Sequence, residues 1–332
     1  MAPQFTYYFS SLRYRNNLKL IMVDQVNLII DCDVGVDDAQ AIMLALATPH
    51  IELLAITCVA GNVGIDKVCI NTLKVLKVCD RLDIPVYKGA STSILGHEER
   101  AGYYHGEDGL GNVKEIPQPD IKLIKEEVAA IALVRMVNER PGEISIAAIG
   151  PLTNIAIAMK LDPHFTEKVK EIVIMGGELE GKALSYITSE FNFTCDPEAA
   201  HVVFNASVCP VIILPFEICT RHGLPINYFK DLVSRDNKKA KFVKAITEYC
   251  LQRERGEKDP YVPYDIYAIA YLVDKSCVTK LEHVHVQIEL QGSLSRGKMV
   301  TDWNNKVSKI HTINIVMKMD MDKLKMMYAN AM

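Results

Sequence analysis

Along this chain, short β-branched runs alternate with stretches in which apolar residues recur every three or four positions. This pattern is expected of an α/β domain with a mostly parallel sheet, in which helices cover both faces of buried strands. VNLIID (26–31) predicts the first strand and VDDAQAIMLALA (36–47) the first helix, which Pro49 stops. ELLAITCVAG (52–61), a helix from Ile65 to Cys79 and the strand IPVYKG (84–89) continue the alternation. Residues 91–125 break it, and so long a loop inside a compact domain is read as functional or mobile. The rhythm resumes with EVAAIALVRMVNE as helix, EISIAAIG as strand, a helix opening at Pro151, and EIVIMGG as strand. DPEAAHVVFNAS is then read as helix and PVIILPFEI as strand. Residues 221–260 read as charged, solvated helix, and VPYDIYAIAYLVD (262–274) as an amphipathic helix with Asp265 in its first turn. HVHVQIELQ and TINIVMKMD return to strand before a short closing helix. With no repeat or low-complexity linker, the expectation is α/β: a single open, mostly parallel (mixed), Rossmann-like sheet flanked by helices, in one domain over 26–332.

Composition narrows the possible functions. The chain has 332 residues, 49% of them hydrophobic, enough for a substantial core. A net charge of -4 with no long Lys/Arg run provides no basic field for a phosphate backbone, which argues against a nucleic-acid partner. Nine cysteines lie scattered through apolar segments, without CxxC pairs or histidines at zinc spacing, and read as reduced thiols of a cytoplasmic protein. No apolar stretch approaches the ~20 residues that span a bilayer, so no membrane partner is expected. The opening MAPQFTYYFSSLRYRNNLKL is basic and free of acidic residues, and its apolar run LKLIMV is too short for a secretory signal. Residues 1–25 are therefore read as an extension that the fold does not need.

The densest chemistry lies in LIIDCDVGVDD (28–38), with four aspartates in eight positions. Alternation along a strand puts Asp31 and Asp33 on one side at the carboxyl end of the first strand, where open parallel sheets bind ligands. Asp37 and Asp38 open the next helix, so at least three carboxylates can converge. Like charges so close raise one another's pKa and repel unless a cation neutralises them. Capping a helix N-terminus, worth ~0.3–1 kcal/mol, accounts for Asp37 or Asp38 but not for all four. Oxygen donors without sulfur select a hard cation, calcium or magnesium. An EF-hand loop starting at Asp31 would need Gly at position 36 and Glu at position 42, where Val36 and Ile42 stand. A DxD phosphatase, with Asp31 as nucleophile, remains an alternative, although it leaves Asp37 and Asp38 without a role.

DCDVGVDD resembles the DxDxGxDD fingerprint of the inosine-uridine-preferring nucleoside hydrolase family. The resemblance continues in order through AGN ending at Asn62, HGEDGLG (105–111), GPLTN (150–154), IMGG (174–177), SEFNFTCDPEAA (189–200) and YDIYAIAYLVD (264–274). It implies hydrolysis of the N-glycosidic bond of ribonucleosides to free base and ribose. In that family a calcium ion grips two ribose hydroxyls together with the attacking water. The matching calcium ligands here are Asp33, Asp38, the main-chain carbonyl of Thr153, and Asp265, which also counts among the substrate-binding positions. Asp37 matches the general base, and Asn62, Glu190 and Asn192 match positions that hold ribose hydroxyls. The chemistry is coherent, because a carboxylate-rich floor stabilises the sugar cation that develops as the bond breaks.

Glu190 and Asn192, separated by one residue, would share a face of an extended segment. Two positions depart from the family: Tyr264 stands where many members carry a histidine that protonates the leaving base, and Leu184 where an Asn reaches the ribose. Tyr103, Tyr104 and His105 match a mobile flap over the base, which makes His105 a second candidate acid beside Tyr264. Tyr228 and Tyr249 match a segment that supplies aromatic groups near the base. An alternative to the enzyme is a calcium-dependent nucleoside- or ribose-binding homologue with impaired catalysis. The resemblance further implies a homodimer or homotetramer.

Overall fold

The structure is a computed structural model that describes residues 24–114, 116, 118–182, 187–253, 260–307 and 313–332. The expected N-terminal extension falls almost wholly outside these residues, as does Leu184. Strand β1 (Val26–Cys32) leads into helix α1 (Val36–Ala47), then β2 (Ile51–Cys58), α2 (Ile65–Val78) and β3 (Val86–Lys88). A short helix α3 (Gly102–His105) precedes β4 (Ile124–Lys125), so the long loop carries structure of its own. Next come α4 (Ala129–Glu139), β5 (Ile144–Ala148), α5 (Thr153–Leu161), α6 (Phe165–Lys168) and β6 (Glu171–Met175). They are followed by α7 (Phe191–Cys195), α8 (Pro197–Ala206), β7 (Val211–Leu214), α9 (Phe216–Arg221), α10 (Ile226–Val233) and α11 (Lys238–Arg253). The chain ends with α12 (Ile266–Val273), β8 (Val278–Val284), β9 (Val286–Ile288), β10 (Met299–Thr301), β11 (Ile313–Met319) and α13 (Met321–Ala331).

Among the described residues nine strands form one sheet in the order β4-β3-β2-β1-β5-β6-β7-β11-β8, parallel throughout except for β8, which runs antiparallel to β11. The mixed α/β architecture is therefore the one the apolar pattern predicts. Every residue of β5, β6 and β7 is buried, as central parallel strands covered on both faces must be. Successive residues of β1 feed opposite layers. Leu28 and Ile30 pack with Ile42, Val68, Ile269 and Leu324 on one face, while Ile29 packs with Leu133, Ile155 and Val203 on the other. Lys280 and Glu282 pair at 3.0 Å on the edge strand β8, where charge discourages further strand addition.

From β1 the chain steps outward to β4 and returns to add β5 on the other side of β1. That reversal opens a crevice at the carboxyl ends of the two strands, the place where such sheets bind ligands.

Three expectations need correction. PVIILPFEI is strand only to Leu214, because Pro215 has no N–H for the ladder and instead precedes α9. HVHVQIELQ is not one strand: β8 begins earlier, at Val278, and β9 leaves the large sheet to pair with β10, which the pattern did not predict. Asp265 is the residue before α12 rather than part of its first turn.

Candidate active site

Residues following four neighbouring strands converge on the crevice. Asp33 follows β1, Asn62 follows β2, Thr153 opens the helix after β5, and Glu190 and Asn192 follow β6. Asp265 arrives from the distant turn before α12. Asp37, Asp38 and Asp265 are all buried, and each offers a carboxylate oxygen within 4.8 Å of the other two. The convergence of three carboxylates is thus real, although its members are not those that strand alternation alone picks out.

The first turn of α1 is organised by its own acids. Gly35 cannot cap the helix with a side chain, and Asp38 reaches back so that its Oδ2 accepts from Gly35 N at 2.8 Å while its Oδ1 accepts from Asp33 N at 3.2 Å. Asn62 bridges the two aspartates, donating from its backbone N to Asp33 Oδ2 at 2.7 Å and from Nδ2 to Asp38 Oδ2 at 3.2 Å. Gly61 makes this approach possible, since a Cβ there would lie 2.1 Å from Asp33 Oδ2.

Asp31 does not join the cluster. Its Oδ1 accepts from Thr57 Oγ1 at 2.5 Å and Asn154 Nδ2 at 2.8 Å, and its Oδ2 is sealed from solvent. A nucleophile needs an accessible oxygen, so this arrangement removes the basis of the phosphatase alternative. Asn154 also donates to the Cys58 carbonyl at 2.9 Å and accepts from Ala90 N at 2.9 Å, tying the ends of β1, β2 and the strap after β3 together. Sequence reading gave it no role although it lies within GPLTN. Thr57 was equally unassigned, and what finds it is its register position opposite Asp31.

Glu190 and Asn192 do not lie on an extended segment. Glu190 caps α7: its Oε1 accepts from Asn192 N at 2.9 Å and its Oε2 from Gly177 N at 3.0 Å and Phe193 N at 3.3 Å. Two of these bonds satisfy free N–H groups at the helix start, the third ties Glu190 to the turn after β6, and together they hold the carboxylate in one orientation. Gly177, at φ +70°, leaves room for the Phe193 ring, which a Cβ there would meet at 2.8 Å. Asn192 Nδ2 donates to the carbonyls of Ile149 and Met175 at 3.2 and 3.1 Å, spanning the ends of β5 and β6. Thr153 turns its hydroxyl to Asp196, donating to Oδ2 at 2.7 Å.

His105 is not an exposed loop residue. Only 5% exposed, it closes α3 with Tyr104 edge-on to its ring. Its Nδ1 accepts from Val36 N at 3.1 Å and lies 3.8 Å from Asp37 Oδ1. The side chain of Tyr103 is outside the described residues. Tyr264 is half-buried and stacked on Phe216, with ring centroids 5.5 Å apart. Tyr228 donates to the Lys325 carbonyl at 2.8 Å, and the Arg253 guanidinium lies over the Tyr249 ring, 4.9 Å from its centroid.

Burial dominates the electrostatics. It pushes the Asp31 carboxyl up to about 7 against the hydrogen bonds of Thr57 and Asn154. Burial and then Asp37 push Asp38 up to about 7. Burial followed by Asp38 raises Asp33 well above the ordinary carboxylate range, and burial followed by Asp37 does the same for Asp265. Glu190 rises to about 7 through burial, although three backbone N–H groups pull it down. Burial lowers His105 despite the opposing pull of Asp37.

Asp33 Oδ1 and Asp37 Oδ1 are sealed from solvent and have no hydrogen-bond partner among the described residues. Unpartnered buried anionic oxygens are costly, and a cation among them removes that cost. The donors are hard oxygens throughout, so the residues fit an oxygen-loving divalent metal ion.

A parallel sheet whose switch point holds a buried, oxygen-only acidic cluster defines an α/β enzyme built to work with such an ion. A sequence model of the inosine-uridine preferring nucleoside hydrolases matches residues 28–326. The chain is 36% identical over 298 residues to the inosine-uridine preferring nucleoside hydrolase of Leishmania major, covering 89% of this chain and 94% of that one. It is 31% identical over 301 residues to a non-specific ribonucleoside hydrolase of Salmonella enteritidis, covering 91% and 95%. Among solved structures it is similar to an inosine-guanosine nucleoside hydrolase, with a TM-score of 0.86 at 30% identity over 92% of this chain and 98% of that chain. A plant nucleoside hydrolase gives 0.85 at 29% identity over the same shares. The chain belongs to the inosine-uridine preferring nucleoside hydrolase family and is an N-glycosyl hydrolase.

Proposed function

We propose that the protein hydrolyses the N-glycosidic bond of ribonucleosides, releasing free base and ribose, with calcium as its metal. The observation that carries this reading is the meeting of Asp37, Asp38 and Asp265, from two distant parts of the chain, at the switch point of the sheet. Asp33, Asp38, Asp265 and the main-chain carbonyl of Thr153 are the groups we assign to calcium, which when bound neutralises the buried carboxylates, orients ribose hydroxyls and makes a water more acidic.

Asp37 takes the proton of the attacking water in this assignment. Unlike Asp31, which is fully buried, Asp37 keeps 9% of its surface open, so its carboxylate can meet a water in the crevice. The carboxylates around the sugar favour the positive charge that builds on it as the base departs. Asn62, Glu190 and Asn192 hold ribose hydroxyls. The three backbone bonds of Glu190 leave it acceptor capacity and fix where that capacity points. On the leaving side, Tyr264 offers a phenol and a ring already stacked on Phe216. His105 can donate only through Nε2, because its Nδ1 lone pair is spent on Val36 N. We therefore assign Tyr264 to the departing base and His105 to holding the start of α1. The resemblance further leads us to propose a homodimer or homotetramer acting in the cytoplasm. Among the described residues no helix is long and apolar enough to cross a membrane.

Product analysis tests the reaction. Incubation with inosine or uridine in phosphate-free buffer should yield equal amounts of base and free ribose. Base release that appears only with added phosphate would mean transfer to phosphate rather than to water and would overturn the assignment.

A further inference from the structure

Asp37 and Asp38 ride on α1, whereas Asp265 arrives on a separate segment, so the gap between them depends on what ties α1 to that segment. Gln40 stands one turn beyond Val36 on α1 and is fully buried, the only polar side chain of that helix beyond its two aspartates. Its Nε2 donates to the Val36 carbonyl at 2.7 Å and to the Tyr261 hydroxyl at 2.8 Å. Its Oε1 accepts from the Tyr328 hydroxyl on α13 and from the Tyr261 hydroxyl at 3.2 Å. Both ends of the amide are thus fully used.

Tyr261 lies four residues before Asp265. Its backbone exchanges two hydrogen bonds of 2.8 Å with Leu224, and its ring stacks on Phe229 at 3.9 Å. Val36 directly precedes Asp37. One amide therefore joins the acidic turn of α1, the segment that ends in Asp265, and the C-terminal helix. A buried polar network with every member satisfied is rigid, and the hydrogen bonds of this amide go to two tyrosine hydroxyls and a backbone carbonyl rather than to the carboxylates.

We propose that Gln40, through Tyr261 and Tyr328, is a positioning residue that sets the distance between the Asp37–Asp38 pair and Asp265, and with it the affinity of the ion site. The inference rests on the assignment of an ion to those carboxylates. Groups that orient metal ligands from behind typically change affinity by about 10- to 100-fold when removed.

The test is calorimetric titration of calcium into the chelated full-length protein, for wild type, Gln40→Leu, Tyr261→Phe and the double variant, with thermal unfolding of each chelated form and kcat at saturating calcium. Gln40→Leu and Tyr261→Phe should each weaken calcium binding about 10-fold or more, while saturating calcium restores most of kcat. The double variant should be no weaker than the worse single variant, as for two ends of one link. Tyr261→Phe keeps the ring and its stack, which separates the lost hydroxyl from any failure of Gln40→Leu to pack. Calcium affinity within twofold of wild type in both single variants would overturn the proposal. A lowered melting temperature with unchanged affinity would do the same, since it marks a purely structural tie. Wild-type protein that binds no calcium would instead remove the ion assignment itself, and this inference with it.

Discussion

Asp31 and Asp33 are two residues apart, and alternation along a strand puts them on the same side, yet they meet different ends. Thr57 and Asn154 seize Asp31 inside the sheet, while Asp33 lies past the strand and shares Asn62 with Asp38. Clustering of acids was legible in the sequence, because four aspartates in eight positions at a strand end repel one another unless a cation gathers them. Which of them stay free was not, because that depends on side chains brought over from β2 and α5. Asp37 is the member whose remaining exposure matters most for chemistry. Asp37→Asn keeps size and shape but removes the base, and should lower kcat by about 10²- to 10⁴-fold with KM little changed, as read in initial-rate assays of base release. A kcat within threefold of wild type would exclude Asp37 as the base. His105 shows the reverse failure of legibility: the resemblance matches it to a mobile flap over the base, and only the fold reveals that its ring is buried against the first amide of α1.

Helix α1 runs from Val36 to Ala47, the boundaries its apolar period predicts, since the aspartates start it and Thr48-Pro49 ends it. By contrast, PFEI continued an apolar run, and the reading carried the strand through a proline that in fact closes it. The same locality governs the turn after β2. Gly61 brings its backbone against Asp33, and a Cβ would lie 2.1 Å from Asp33 Oδ2 and 3.0 Å from Pro151 Cδ. Asp33 cannot retreat without breaking its 2.7 Å bond from Asn62 N. Gly61→Ala should therefore cost about 1–3 kcal/mol of stability in thermal melts and lower kcat/KM for inosine by about 10-fold. Wild-type melting and activity would show that this close approach is not needed.

At the scale of the whole molecule, the alternating pattern foretold the parallel sheet but not its strand order, because nothing local states that β5 returns beside β1. The site exists only through that order, which brings the ends of β1, β2, β5 and β6 to one crevice. Gathering buried acids there links stability to pH. Asp31, Asp38 and Glu190 have carboxyl pKa values raised to about 7 by burial, and Asp33 and Asp265 are raised well above the ordinary range. Without an ion, the folded protein holds more protons than the unfolded chain between the ordinary carboxylate range and about pH 7. Its extra stability is complete below that window and lost as pH rises through it. Chelated protein should therefore melt about 5 °C or more higher at pH 5.5 than at pH 8, and added calcium should flatten this dependence. An equal or lower melting temperature at pH 5.5 would contradict the electrostatic account. The most direct measurement is base release from inosine by protein stripped of divalent ions and then titrated with calcium. Activity should fall below about a hundredth of its starting value and return as about one calcium binds per chain, whereas unchanged turnover in verifiably metal-free protein would contradict the account.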